Sequence, residues 1–99
     1  MIQTAKKTKM WIIPPEGPIQ ERWIEACPKY KDLRDAVGGL IEVVRVIVNG
    51  AEAELVCNEE GMVFDLPENP RALSMVEHTD TLMPNLYGTV IIFSEPTMI

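Results

Sequence analysis

The chain has 99 residues, 46% of them hydrophobic, and a formal net charge of −6. That length suits one domain around one core, and the acidic balance argues against a protein that coats DNA or RNA, because like charges repel a phosphate backbone. No apolar run approaches the roughly 20 residues that a membrane span needs.

The chain opens with a small basic cluster, Lys6, Lys7 and Lys9, read as a solubilising start. Lys9–Ile13 reads as a first strand, stopped by Pro14-Pro15, neither of which can donate to a ladder. Pro14–Pro18 is loop. Ile19, Trp23, Ile24 and Ala26 then fall near helical spacing, so a short helix over Ile19–Ala26 is expected before Pro28.

Tyr30–Val37 predicts a better helix. Tyr30, Leu33, Ala36 and Val37 share one face, and Gly38-Gly39 supplies a C-cap tolerant of left-handed dihedrals. Leu40–Val48 is apolar on both alternating faces, which predicts a central strand covered on both sides. Asn49-Gly50 fits a tight turn. Ala53–Cys57 reads as the return strand, which could begin as early as Ala51 with a two-residue loop or after Glu52 with a wider one.

Asn58-Glu59-Glu60-Gly61 predicts the next turn, with Gly61 as its left-handed residue, and Met62–Leu66 a third short strand closed by Pro67. Asn69-Pro70 opens a helix to about Glu77, with Asn69 as N-cap and Pro70 at the first helical position. His78–Leu86 reads as loop, with Pro84 and Asn85 as turn residues. Tyr87–Phe93 reads as the last strand and 94–99 as a tail. The fold class expected is α+β: a mainly antiparallel sheet of about five strands, a central β-meander, and two or three helices.

Four blocks carry a resemblance: Ala36–Val44, Cys57–Gly61, Asn69–Ala72 and Tyr87–Ile92. In order and spacing they resemble the family catalogued as domain of unknown function 3846, found in small proteins of bacteriophages and mobile elements. The resemblance spans about 33–93, leaving 1–29 as an N-terminal extension of a single domain. Where relatives often have Gly-Asp before the last strand, this chain has Gly88-Thr89. The resemblance implies a phage or mobile-element origin and an accessory role. It assigns no activity.

Candidate chemistry is sparse. Glu42 and Arg45 are the charges inside the most apolar strand, and their odd separation puts them on opposite faces. Each then needs its own partner or a place at the rim, unless they line a polar pocket. Asn58, Glu59 and Glu60 crowd one turn, readable as turn chemistry or as a ligand contact. Asn69 and Arg71 stand at a helix start, where free amides and a guanidinium could grip an anion; the alternative is a capped helix with Arg71 paired locally. His78 has no evident acid–base partner, and Cys57 no activating base.

Cys27 and Cys57 leave a disulfide open, but without a secretory signal both are expected reduced in the cytoplasm. No metal or cofactor is expected. Two functions follow as expectations: a non-catalytic protein that binds a host protein, with counter-defence as one use, or a binder of a small anionic ligand such as a signalling nucleotide, for which a homo-oligomer would help.

Overall fold

The computed structural model describes residues 8–26, 28–79 and 85–95, with 78 and 79 as backbone. Lys6, Lys7, Cys27 with its open disulfide, Pro84 and the tail beyond Glu95 lie outside the described residues.

Six strands and two helices follow in the order β1 (Thr8–Ile13), β2 (Gln20–Ile24), α1 (Tyr30–Val37), β3 (Ile41–Val48), β4 (Ala51–Asn58), α2 (Pro70–Met75), β5 (His78–Thr79) and β6 (Val90–Phe93). All pairings are antiparallel, and the strand order across the single sheet is β2-β1-β6-β4-β3-β5. The α+β class and the antiparallel sheet stand as expected.

The two faces of the sheet carry separate cores. One joins Ile13, Val44, Val46, Leu55, Val90 and Ile92 to Ala72 of α2. The other joins Met10, Val56, Ile91 and Phe93 to Leu33 and Val37 of α1. The helices therefore lie on opposite faces. The middle of the sheet is β6, all four of whose residues are buried, flanked by β1 and β4.

Several sequence expectations are corrected. Leu40–Val48 is not the covered centre. Its strand, β3, lies one place from the edge; Val44, Val46 and Val48 are buried, while Val43 and Arg45 on the other face are exposed. An apolar pattern records which faces can be buried, and α1, only eight residues long, is too short to cover all of them. Ile19–Ala26 is not a helix: Gln20–Ile24 forms strand β2, because the free edge of β1 offers ladder partners that outweigh a weak helical spacing interrupted by Pro28. In that hairpin Lys9 Nζ lies 5.0 Å from the Trp23 ring centroid and 5.5 Å from that of Trp11, and it pairs with Glu21 at 2.8 Å. The Lys9 hydrogen bond and charge hold the exposed Glu21 carboxyl below its usual range.

The meander loses its third strand. Met62–Leu66 forms consecutive turns, with Phe64 N–H donating to Glu60 O, Asp65 N–H to Met62 O and Leu66 N–H to Gly61 O. Met62, Val63 and Phe64 are consecutive, so they cannot all face one side of a strand. The left-handed residue is Asp65 (φ 56°), not Gly61; Asp tolerates that region better than most side chains. Gly61 is needed for space, since a Cβ there would lie 2.9 Å from Tyr87 Cβ.

The remaining boundaries move little. The hairpin loop is the two-residue Asn49-Gly50, both at positive φ (51° and 78°). Gly38 caps α1 at φ 84°, its N–H donating to Arg34 O. Helix α2 stops at Met75 rather than near Glu77, because Glu77 N–H turns to Ile47 O and starts the pairing of His78 and Thr79 with β3. Residues 87–89 precede β6 rather than join it, Tyr87 making an isolated bridge to Glu68.

Candidate functional site

Four of the six residues picked from the sequence, Asn58, Glu59, Asn69 and Arg71, lie at the two ends of one loop, 59–68, which joins β4 to α2. Asn69 is fully buried. Its Nδ2 donates to Ile13 O and to Gly88 O, both at 2.8 Å, and its Oδ1 accepts from Ala72 N–H at 3.1 Å. One side chain thus ties the start of α2 to the end of β1 and to the approach to β6. Arg71 sends its Nη2 to Gly17 O at 2.7 Å, clasping the β1–β2 connection.

Asn58 does the same at the other end. It is buried; its Nδ2 donates to Val37 O at 3.2 Å and its Oδ1 accepts from Glu60 N–H at 2.8 Å. The first contact satisfies a carbonyl at the C-terminal end of α1, where backbone acceptors lack helical partners. Glu59 N–H donates to Leu40 O at 2.8 Å, while its side chain is exposed. The asparagine–glutamate turn is anchored as the turn reading requires.

Glu42 and Arg45 do not meet each other or this cluster. Both are exposed and project from opposite faces of β3, with Cys57 and Glu54 as their cross-strand neighbours. Cys57 is buried and free, its Sγ 3.9 Å from Glu42 O. Burial, helped by the Glu42 charge, pushes its thiol up to about 11. It is therefore a neutral thiol near pH 7, the opposite of an activated nucleophile. Among the described residues no group of His, Cys, Asp and Glu could hold a metal ion, and no helix is long and apolar enough to cross a membrane.

What the sequence reading missed lies between the asparagines. Met62, Val63 and Phe64 are 70%, 75% and 64% exposed. Large apolar side chains scattered singly over a surface are ordinary; three in a row on one loop are not. The loop carrying them is held at several points on both sides of Val63. Beyond its internal turn bonds, Gly61 packs on Tyr87, Glu68 bridges to Tyr87, and Gly88 N–H donates to Pro67 O at 2.7 Å. The available signal was the lack of alternation in Met-Val-Phe, which contradicts a strand buried on one face.

A concavity of about 450 Å³ lies between α1 and the β1–β2 hairpin, lined by Met10, Ile12, Ile24, Leu33 and Ile91, with Arg22 beside them.

Comparison with known proteins returns one family. Residues 8–97 match the family described as Domain of unknown function (DUF3846), so the chain belongs to that family. The match begins with β1 and so takes in the first hairpin as well as the four blocks in 33–93. No curated protein and no solved structure matches the chain.

Proposed function

For this member of the family we propose a non-catalytic accessory role: it binds a protein of the host cell through the loop between Asn58 and Asn69. The observation that carries the reading is the run of three exposed apolar side chains, Met62, Val63 and Phe64, on a loop whose backbone amides at Glu59, Gly61, Phe64, Asp65 and Leu66 are hydrogen-bonded. A fixed loop loses little conformational freedom on docking, so most of the energy of burying those side chains is retained as affinity. The resemblance of the sequence blocks to small phage and mobile-element proteins supports a host protein as the target, with blunting of a defence system as one use and the host cytoplasm as the place of action. The anionic-ligand alternative has less support, because Asn69 spends both its amide donors and its carbonyl inside the protein, and Arg71 spends a donor on Gly17.

A photo-crosslinking amino acid placed at position 63 of the full chain, in living bacteria, tests the reading, with the exposed hairpin position 52 as control. A discrete protein adduct is expected from position 63 and not from 52, and it should weaken when Phe64→Ser is added. Equal or absent labelling at the two positions would reject the loop as the docking site.

A further inference from the structure

Taking the loop as a protein-docking site, we propose that its partner is a cationic protein surface: an apolar pocket rimmed by Lys or Arg. Four carboxylates, Glu59, Glu60, Asp65 and Glu68, surround Met62–Phe64, and no Lys or Arg occurs between positions 59 and 68. Among the described residues none of the four enters an ion pair, whereas Glu21 pairs with Lys9 and Asp35 with Lys31. The first basic residue beyond the loop, Arg71, is hydrogen-bonded to Gly17 O. The loop therefore joins an apolar tip to a rim of uncompensated negative charge.

That combination selects among occupants. A second copy of the chain would bring the same carboxylates face to face, and the net charge of −6 adds to the repulsion. An anionic membrane surface and a nucleic acid are repelled in the same way. A protein pocket with a basic rim gains on both counts: the apolar side chains leave water, and the opposed charges speed encounter and fix orientation.

The test uses the full chain and fluorescence anisotropy with two labelled amphipathic helical peptides, identical in their Leu/Phe face, one with Lys and one with Glu on the polar face. Vesicles of phosphatidylserine and sedimentation of the chain alone cover the other occupants. The Lys peptide is expected to bind. Phe64→Ser, which leaves net charge unchanged, should weaken binding by about tenfold or more, the effect of losing one buried aromatic contact. A Glu59→Gln, Glu60→Gln, Asp65→Asn variant should weaken it at low salt and reduce its salt dependence; Asn is well suited to the positive φ at 65. Met62→Ser is the second apolar variant, and circular dichroism checks that each folds. Equal affinity for the Glu peptide, Lys-peptide binding indifferent to both Phe64→Ser and Met62→Ser, or vesicle binding or self-association that depends on Phe64 would each overturn the proposal. If the peptides fail while position 63 still crosslinks in cells, the partner's chemistry is wrong and the loop reading stands; if both fail, the loop reading falls too.

Discussion

Asn58 and Asn69 show how one side-chain type can be picked for one reason and used for another. Both stand out in the sequence as polar residues at turn and helix-start positions, where an anion or cation contact is conceivable. Both are buried, and their amides are committed to backbone groups from distant segments. The cap at Asn69 was legible, because Asn-Pro before an apolar helix is a local signal. The bonds to Ile13 O and Gly88 O were not, since they join positions 56 and 19 residues away in sequence. Asn69→Ala should destabilise the fold by about 3 kcal/mol in urea denaturation, from the lost cap and two buried carbonyls left without their donor. A loss below about 1 kcal/mol would mean that water replaces the side chain. Cys57 offers a pH test. Its thiol is raised from about 9 to about 11, so the unfolded chain releases this proton more easily than the folded one. The contribution is fully present below pH 9 and fades as pH rises through 11, amounting to about 2 kcal/mol by linkage. Comparison with Cys57→Ala should show the stability difference shrinking across that interval, and a constant difference would contradict the burial argument.

At the level of elements, local pattern served where local energetics decides. The α1 helix with its glycine cap, the Asn-Gly hairpin and the start of α2 were all legible, each from a signal contained within a few residues. It failed where a neighbour distant in sequence decides. Gln20–Ile24 has a weak helical spacing, but the edge of β1 is vacant without it, and ladder bonds along five residue pairs fix the outcome. Met62–Leu66 has strand-like composition, but β6 already occupies the free edge of β4, so this segment has no ladder to join. It closes on itself in turns, and Gly61 lets it sit against Tyr87. The apolar tip is thus left outside by topology. The candidate site was half legible for the same reason: its two anchors announced themselves, and the surface they hold did not.

Across the molecule, the sheet's class could be read from composition and alternation, while its order could not. Side-chain alternation tells which faces a strand can bury, not which strand lies beside it. β6 becomes the centre because β1 and β4 pair on either side of it, bringing residues 10–13 and 54–56 to one short strand. The buried Asn58 and Asn69 then tie the two ends of the loop at 59–68 to this frame. The central claim is that this loop is held in shape by the fold before any partner arrives. Amide hydrogen exchange of the free protein at residue resolution measures this directly. Phe64 and Leu66, whose amides donate at 3.0 Å and 2.9 Å to Glu60 O and Gly61 O, should exchange at least about 100-fold more slowly than an unstructured chain, while side-chain exposure at 62–64 is unchanged. Exchange of those two amides at the unstructured rate would contradict the account.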